Sequence, residues 1–340
     1  MNSPKLSIII PFYNVEKYIA ECLNSVYAQD IPETDYEVIC VNDCSPDYSR
    51  AIVLEYQKNH SNLILIEHET NKMLGAARNT GLRAAKGKYI WFIDSDDYIE
   101  KNALKELLEV AIDNKLEILK FNSRRFNEKY DFSDFMKLPI KTTVIKGVEY
   151  CEKYLLNNWN LLTWSKIFKT EYLIKNNLLF PENVFFEDNF HSIKSYFLSQ
   201  RFMYINTTVY YYRINQNSIM TSSNIWGAKK MADRFEYNIN SIDFIDKHDI
   251  EINRKFKLDL INCYVWALSK YRKTIINFSL KELREFYLYI GSVNESLLKK
   301  YMNRSIYYFY TRPNIITPVS QLIKPITLTI LFFKKVKNNL

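Results

Sequence analysis

The fold of this chain is most constrained by the apolar run Tyr89–Ile93, which ends directly in the acidic segment Asp94–Asp97. A short aromatic and β-branched run is typical of a buried strand, and open α/β sheets bind ligands at the carboxyl ends of such strands. The acidic segment holds three carboxylates in four positions, which repel one another unless a cation or hydrogen-bond donors stabilise them. The pattern therefore predicts an α/β enzyme with a divalent-metal site after this strand.

The chain is long enough for one large folded domain or two smaller ones, with 340 residues of which 47% are apolar and 25% charged. It has only six glycines, yet Gly75, Gly81 and Gly87 fall within one thirteen-residue window just before the acidic strand. This clustering indicates a segment whose backbone packs closely against a neighbour or a ligand.

Five cysteines occur, an odd number without a CxxC pair: Cys22, Cys40, Cys44, Cys151 and Cys263. This usage is typical of reduced thiols in the cytoplasm. Cys40 and Cys44 form at most half of a zinc site, because no Cys or His pair at ligand spacing occurs elsewhere. The start of the chain lacks the basic and apolar regions of a signal peptide, so we expect a cytoplasmic protein.

The net charge of +8 is concentrated near the C-terminus, because residues 296–340 contain eight basic residues and no acidic one. There, residues 323–333 are mostly apolar and are followed by Lys334, Lys335 and Lys337. Such a segment suits the surface of an anionic membrane but is too short to span one. We expect residues 323–340 to contact the inner face of the cytoplasmic membrane; the alternative is a C-terminal helix packed on the core. The basic residues match no nucleic-acid-binding motif.

Apolar runs alternate with segments of helical spacing along residues 1–122. We predict strands at residues 6–10, 36–42, 63–67 and 89–93, the first broken by Pro11. We predict helices at residues 15–27, in the segment that ends near 59, at 75–85 and at 102–114. Strands that alternate with helices form a parallel sheet.

The pattern becomes mixed over residues 123–220, after an extended segment at 117–122. We predict helices around 147–156 and at 192–198, and a strand at 207–212. After residue 225 almost every segment has helical period. These patterns predict a domain at 1–220, with halves 1–122 and 123–220, and a helical region at 221–340 that ends in the basic amphipathic tail.

Five motifs follow one another within roughly residues 5–215: Ser7–Asn14, Val41–Ser45, Asn71–Gly81, Asp94–Asp96 and Glu187–Asp188. In this order they resemble the nucleotide-sugar site of family 2 glycosyltransferases of the bacterial surface-polysaccharide type. The resemblance implies the GT-A fold, a Rossmann-like, mostly parallel mixed sheet flanked by helices, here with a C-terminal helical appendage. It also implies that residues 1–122 bind the nucleotide-sugar and residues 123–220 bind the acceptor.

The resemblance implies roles for side chains after the first two strands. Asp43 accepts a hydrogen bond from the imide nitrogen of uracil. Pro11, Tyr13 and Asn14 form the wall of the base and ribose pocket. The alternative for Asp43 is that it caps the following turn or helix, which aspartate does readily.

The resemblance also implies a donor and metal site at the acidic segment. Asp94 lies near the ribose, Ser95 lines the donor site, and Asp96 ligates Mg²⁺ or Mn²⁺ between the two phosphates. Asp94 is the second candidate metal ligand, and Asp97 is a helix cap or a supporting group.

Two arginines are candidates for binding the diphosphate. Arg78 is expected to meet a phosphate or to brace the aspartates; a plain surface residue is the alternative. Arg213 or Ser218 would donate to phosphate from the segment Tyr212–Ile219, which resembles a loop that closes over the diphosphate.

The pair Glu187 and Asp188 supplies the implied catalytic groups. In the family the aspartate of such a pair is the general base that deprotonates the acceptor hydroxyl, so Asp188 is assigned as base and Glu187 as its support or alternative. The other interpretation is that both acids only favour a helix N-terminus. Trp164 is open between stacking on a sugar and packing in the core. His191 is open between assisting the metal or phosphate and being a packed or surface histidine.

The implied activity is that of an inverting, metal-dependent transferase of hexose or N-acetylhexosamine. The donor is a nucleotide-sugar, UDP-linked in preference to GDP or dTDP, and the acceptor is a hydroxyl of a glycan or lipid-linked glycan. The QxxRW motif of processive polymer synthases is missing, so a processive synthase is disfavoured. A sugar nucleotidyltransferase is disfavoured because Pro11–Asn14 replaces its glycine-rich loop, and a non-catalytic glycan-binding scaffold because the acids are all present.

Overall fold

The computed structural model of the chain describes residues 3–126, 131–134, 143–155 and 161–214, together with single positions between 233 and 252. The chain divides into two compact units, Met1–Ser218 and Ile219–Leu340. The strands of the central sheet all lie in the first unit. The tail predicted to bind membranes, residues 323–340, lies outside the described residues, and so does most of the predicted helical region at 221–340.

The described residues form one mixed sheet of nine strands. The strands are β1 Leu6–Phe12, β2 Tyr36–Asn42, β3 Leu63–Glu67, β4 Tyr89–Phe92, β5 Tyr98–Ile99, β6 Ile118–Phe126, β7 Asp131–Asp134, β8 Lys166–Lys169 and β9 Phe202–Arg213. Their order in the sheet is β3-β2-β1-β4-β8-β6-β9-β5, and β7 pairs with β6. Strands β1 to β4 pair in parallel, whereas β8 runs antiparallel to both β4 and β6. The predicted mixed sheet is confirmed.

Seven helices have bounds in the described residues: α1 Ile19–Tyr27, α2 Ser49–Asn59, α3 Met73–Ala84, α4 Leu104–Asp113, α5 Gly147–Tyr150, α6 Thr170–Lys175 and α7 Glu187–Leu198. Their apolar residues repeat at helical spacing; on α1, for example, Ile19, Cys22, Leu23 and Val26 are buried. Strands β1, β2 and β4 are buried along their whole length, because helices cover both faces of a parallel sheet. No helix of the described residues is long and apolar enough to cross a membrane.

Strand β1 continues through Pro11, so the predicted break at this proline is wrong. Pro11 pairs in register with Val41 of β2. The carbonyl of Phe12 faces β2 and accepts a hydrogen bond from Asp43 N. Because successive residues of a strand point their backbone N–H and C=O groups to opposite neighbours, the nitrogen of Pro11 faces β4. Strand β4 is paired with β1 only over residues 6–9, so no ladder hydrogen bond is lost at residue 11.

Two helices begin four or five residues away from their predicted starts. Helix α1 begins at Ile19 rather than at residue 15, and a turn precedes it, in which Tyr18 N donates to Val15 O at 2.9 Å. Helix α7 begins at Glu187 rather than at residue 192.

Trp164 lies in the core and does not face a sugar site. It is 3% exposed and stacks on Tyr210, with ring centroids 4.3 Å apart. Its carbonyl accepts a 2.7 Å hydrogen bond from the indole of Trp91. The described cysteines are free thiols, with Cys44 exposed.

Candidate active site

The loops after β1, β2 and β4 lie side by side, because these three parallel strands are neighbours in the sheet. The loops after β1 and β2 are tied together: Asn14 N donates to Ser45 Oγ at 3.2 Å. Asn14 and Cys44 have left-handed backbone conformations, with φ of 55° and 64°. These turns form a wall at the carboxyl edge of the sheet, where α/β proteins bind ligands.

The residues predicted to hold a nucleobase lie on this wall at different depths. Asp43 is buried, and its Oδ1 accepts from His68 Nδ1 at 2.7 Å and from Lys72 N at 2.8 Å. Tyr13 is 46% exposed and Asn14 is exposed, so both side chains are open to a ligand. Pro11 is buried within β1 beneath them.

The acidic segment after β4 is held in shape by strand β9. Asp97 is 1% exposed; its Oδ2 accepts from the Tyr210 hydroxyl at 2.6 Å and its Oδ1 from Arg213 N at 2.8 Å. Burial and the neighbouring acids raise the pKa of Asp97. Helix α4 begins seven residues later, at Leu104, so Asp97 is a supporting group and not a helix cap.

Asp96 is the acid of this segment that suits a metal. Burial, and after it the nearby Asp94 carboxylate, raises the pKa of Asp96 to about 6. A divalent cation would relieve this accumulation of negative charge. No group of three or more His, Cys, Asp or Glu side chains in the described residues could hold a metal alone. Mg²⁺ and Mn²⁺ fit such a site, because they are commonly held by one or two carboxylates together with substrate phosphates.

Arg213 braces the acidic segment from β9. Its Nε donates to the main-chain oxygen of Asp96 at 2.9 Å, and its guanidinium pairs with Glu21 on α1. The guanidinium also lies over the rings of Tyr18 and Phe126. Its predicted contact with phosphate therefore stays a prediction, and Ser218 lies outside the described residues.

Arg78 lies between the two acidic groups of the site. It is 2% exposed on α3, so the surface alternative is wrong. One terminal nitrogen donates to Asp94 Oδ1 at 2.7 Å, and the other pairs with Glu187. Burial opposes the charge, but the two carboxylates outweigh it and raise the pKa of Arg78 above its ordinary value. Arg78 thereby joins Asp94 to the pair at the start of α7.

Glu187 and Asp188 occupy the first turn of α7, after Phe186 in a left-handed conformation with φ of 62°. Burial raises the pKa of both carboxylates, and the proximity of Glu187 raises that of Asp188 further, to about 7. Arg78 opposes both shifts. A carboxyl with this pKa is divided between its two protonation states near neutral pH, which suits a general base.

Helix α3 is fastened directly to the loop that precedes α7. The Asn79 side chain donates to Phe180 O and accepts from Phe180 N, both at 2.9 Å. A Cβ at Gly75 would lie 2.2 Å from Pro181 O, so only glycine allows this approach. The predicted close packing of the glycine window is therefore found here, although the partner is a loop about a hundred residues away.

Two buried lysines next to this site were not predicted. Lys120 on β6 and Lys166 on β8 are direct cross-strand partners, and both are 0% exposed. Lys120 donates to Ser165 Oγ at 2.8 Å, and Lys166 to Ser192 Oγ at 2.5 Å. Burial lowers the pKa of Lys120 to about 7 and that of Lys166 further, since Lys120 adds to the effect. No feature of the surrounding sequence distinguishes these two lysines from exposed ones.

His191 lies in an aromatic cage and not among the acids. It is 0% exposed, and its ring stacks on Phe180 with centroids 3.9 Å apart. Burial lowers its pKa, so it is a neutral packed histidine, the second of its two predicted interpretations.

A mixed sheet with acidic and basic side chains gathered at the carboxyl edge of its parallel strands defines a ligand-binding α/β protein. A family model described as Glycosyl transferase family 2 matches residues 7–181, slightly more than half of the chain. The chain therefore belongs to glycosyl transferase family 2, and the resemblance found in its motifs is confirmed.

Two relatives are named as poly(ribitol-phosphate) glycosyltransferases. The chain is 35% identical over 223 residues to the poly(ribitol-phosphate) beta-N-acetylglucosaminyltransferase TarS of Staphylococcus aureus, across 64% of this chain and 37% of TarS. It is 31% identical over 262 residues to the poly(ribitol-phosphate) beta-glucosyltransferase of Bacillus spizizenii, across 75% of this chain and 39% of that relative. The chain thus spans less than half the length of either relative.

Solved structures agree with the fold. The crystal structure of S. aureus TarS 1–349 in complex with UDP-GlcNAc matches with a TM-score of 0.66 and 27% identity, covering 86% of this chain and 82% of that chain. A mannosyltransferase of Pyrobaculum calidifontis in complex with GDP-Man and Mn²⁺ matches in fold alone, with a TM-score of 0.54 and 17% identity over 95% of this chain and 88% of that one. The predicted GT-A fold class is confirmed.

Proposed function

We propose that this chain is a metal-dependent, inverting glycosyltransferase of bacterial cell-surface polysaccharide synthesis. It moves a hexose or N-acetylhexosamine from a UDP-sugar to a hydroxyl of a glycan or lipid-linked glycan. The observation that carries the proposal is the double ion pair of Arg78, which holds the donor-side acid Asp94 and the acceptor-side acid Glu187 on one guanidinium. A site that transfers a group must hold donor and acceptor together. The two ion pairs of Arg78 fix the proposed donor-binding and acceptor-binding side chains relative to each other.

The donor half rests on the side chains after β1, β2 and β4. Asp43 accepts from the uracil imide, and the exposed Tyr13 and Asn14 line the base and ribose. The match to a relative crystallised with UDP-GlcNAc supports uridine as the nucleoside. Asp94 and Ser95 line the ribose and phosphate region, with Arg78 and Arg213 as the nearby cations.

The proposed metal ligand is Asp96, with Asp94 as the second carboxylate. Mg²⁺ or Mn²⁺ bound there would neutralise the charge that develops on the departing diphosphate. The raised pKa of Asp96, about 6, supports this assignment, because a nearby cation would favour the ionised carboxylate.

Asp188 is the proposed general base. As the acceptor oxygen forms its bond to the anomeric carbon, the carboxylate takes the hydroxyl proton, and the bond from that carbon to the diphosphate oxygen breaks. Attack from the face opposite the departing diphosphate inverts the anomeric centre. Glu187 neutralises Arg78 and so keeps this cation from lowering the basicity of Asp188 further.

The acceptor and location are proposed from the relatives and the tail. Poly(ribitol-phosphate) is the polymer named for two relatives, which supports a polyol or glycan hydroxyl as the acceptor. The basic segment at 323–340 supports contact with the inner face of the cytoplasmic membrane, where lipid-linked intermediates are held.

The first test is a thermal-shift panel with UDP, GDP, dTDP and CDP, each with and without Mn²⁺. Stabilisation by UDP that depends on Mn²⁺ is expected for the wild type and is lost in Asp96→Asn, because a ligand stabilises the state that binds it. Exposed Asp113 on α4 supplies the control variant Asp113→Asn, which should respond as the wild type does.

The second test is transfer from UDP-GlcNAc and UDP-glucose to a panel of glycan and poly(ribitol-phosphate) acceptors. Asp188→Asn should bind UDP as the wild type does and transfer almost nothing. Full transfer by Asp188→Asn or Asp96→Asn would contradict the site, and binding of UDP without transfer to any acceptor would favour a glycan-binding scaffold.

A further inference from the structure

A buried chain of three side chains lies behind the proposed nucleobase site. The imidazole of His68, which follows β3, bridges Asp43 and Thr80: its Nδ1 lies 2.7 Å from Asp43 Oδ1 and its Nε2 lies 2.9 Å from Thr80 Oγ1. The side chains of His68 and Asp43 are each 5% exposed. The main-chain N of His68 also donates to Asn42 O at 2.9 Å, so the histidine is fixed beside the end of β2.

The contact with Asp43 determines that His68 Nδ1 carries a proton. Asp43 Oδ1 already accepts from the amide of Lys72 at 2.8 Å, and an ionised carboxylate only accepts, so His68 Nδ1 must carry a hydrogen. In the neutral imidazole Nε2 is then an acceptor, and the Thr80 hydroxyl donates to it.

The two donors converge on one oxygen of Asp43. Oδ1 accepts hydrogen bonds from His68 Nδ1 and from Lys72 N, and no hydrogen bond among the described residues uses Oδ2. A carboxylate held at one oxygen by two donors from different segments cannot rotate about its Cβ–Cγ bond without breaking both. Oδ2 is therefore presented in a fixed direction, as a single acceptor.

We propose that His68 is a positioning residue that sets nucleobase specificity by holding Asp43, with Thr80 fixing the tautomer that does so. The inference rests on the proposed uridine-nucleotide donor. Uracil carries an N–H at ring position 3, which the fixed Oδ2 accepts. Cytosine presents an acceptor at the same position and is rejected, because two acceptors would face each other.

The test compares UDP with N3-methyl-UDP, in which a methyl group replaces the imide proton and removes the donor. Binding is measured by titration in the presence of Mn²⁺ for the wild type, His68→Phe and His68→Asn. The side-chain nitrogen of asparagine can take the place of Nδ1 as a donor to Asp43. His68→Asn should therefore retain much of the preference for UDP that His68→Phe loses. The wild type should prefer UDP by about tenfold or more, the range for a hydrogen bond to a charged group, and His68→Phe should show almost no preference.

Steady-state kinetics separate positioning from damage to the fold. His68→Phe should raise the KM for the UDP-sugar about tenfold or more while kcat changes much less, since Asp188 is not in contact with His68 through any hydrogen bond of the described residues. The matched control is His60→Phe, because His60 also pairs with a carboxylate, Glu33, at 2.8 Å but lies at the end of α2. This control should leave both the KM and the preference unchanged.

A third variant covers the case in which His68→Phe does not fold. Thr80→Val keeps the shape of the side chain and removes the hydroxyl that donates to Nε2, so it should weaken the preference for UDP, whereas Thr80→Ser should retain it.

A wild type that binds UDP and N3-methyl-UDP equally, or neither, would overturn the proposed donor. A wild type that discriminates, with His68→Phe and Thr80→Val discriminating equally well, would overturn the role of His68 and leave the donor intact.

Discussion

The guanidinium of Arg78 on α3 pairs with the carboxylate of Glu187 at the start of α7, and both side chains are buried. The two residues lie 109 positions apart in the chain. A buried charge without its partner is costly, so each residue depends on the other for its burial. The pair therefore ties the first half of the sheet to the segment that carries the proposed base.

Removal of Arg78 should destabilise the protein strongly. Arg78→Met leaves Asp94 and Glu187 without their shared cation, and breaking a buried pair on one side costs about 3–5 kcal/mol. Urea unfolding measures this loss. The control is Arg83→Met on the same helix, where Arg83 is 58% exposed and lies 3.6 Å from Glu182; surface pairs contribute about 0–1 kcal/mol. Equal losses in both variants would contradict the assigned role of Arg78.

Activity should depend on the ionisation of Asp188. Its pKa is raised to about 7, chiefly by burial, so the carboxyl becomes protonated as the pH falls below about 7 and can no longer accept a proton. We expect kcat/KM to fall tenfold for each pH unit on the acid side of this value. Asp188→Asn should lower kcat by about 10²–10⁴ above pH 7 and should abolish the acid-side fall. A kcat/KM that stays constant down to pH 5 would contradict Asp188 as the base.

The sequence predicts the first half of the sheet well because its signals are local. Strands β2 and β3 have the predicted bounds, since each is an apolar run enclosed by polar turn residues. The positions of the strand-end side chains, such as Asp43 and Asp96, follow from parallel pairing of those strands. Pro11 was misjudged, because a proline is tolerated wherever the neighbouring strand has already ended.

The rest of the site depends on contacts that no local pattern carries. His68 and Thr80 each look like ordinary residues of a loop and a helix, and only the fold brings both to one imidazole beside Asp43. The burial of Lys120 and Lys166 likewise has no local signal, since the sequence of a strand does not tell which face a later helix will cover. Long-range pairing of this kind becomes visible only in three dimensions.

Substitution of Gly75 should disturb the contact between α3 and the loop before α7. In Gly75→Ala the added Cβ would lie 2.2 Å from Pro181 O, a backbone atom that cannot turn away. We expect a loss of about 1–3 kcal/mol by overpacking, measured by urea unfolding, and a larger loss of transfer activity, because the displaced loop leads to Glu187. The control Ala84→Gly, at the end of the same helix, should cost at most about 1 kcal/mol and leave activity unchanged. Wild-type activity in Gly75→Ala would show that this contact does not position the site.

The buried lysine of β6 should make stability depend on pH in a particular direction. Burial lowers the pKa of Lys120 to about 7, whereas in the unfolded chain it is about 10.4. Between these values the unfolded state binds a proton that the native state does not, so the free energy of unfolding rises with pH across this window, by at most about 1.4 kcal/mol per pH unit.

Lys120→Met removes this contribution, so its stability relative to the wild type should be highest at pH 7 and should fall steadily towards pH 10. Urea unfolding of both proteins at pH 7, 8 and 9 measures the difference, and the ionisation of buried tyrosines and cysteines cancels because both proteins share it. Lys105→Met, at an exposed position on α4, should differ from the wild type by a constant amount over the same range. If the stability difference between Lys120→Met and the wild type is also constant with pH, the prediction is wrong. Lys120 is then charged in the native state, and neighbouring groups on β6 and β8 stabilise its ammonium.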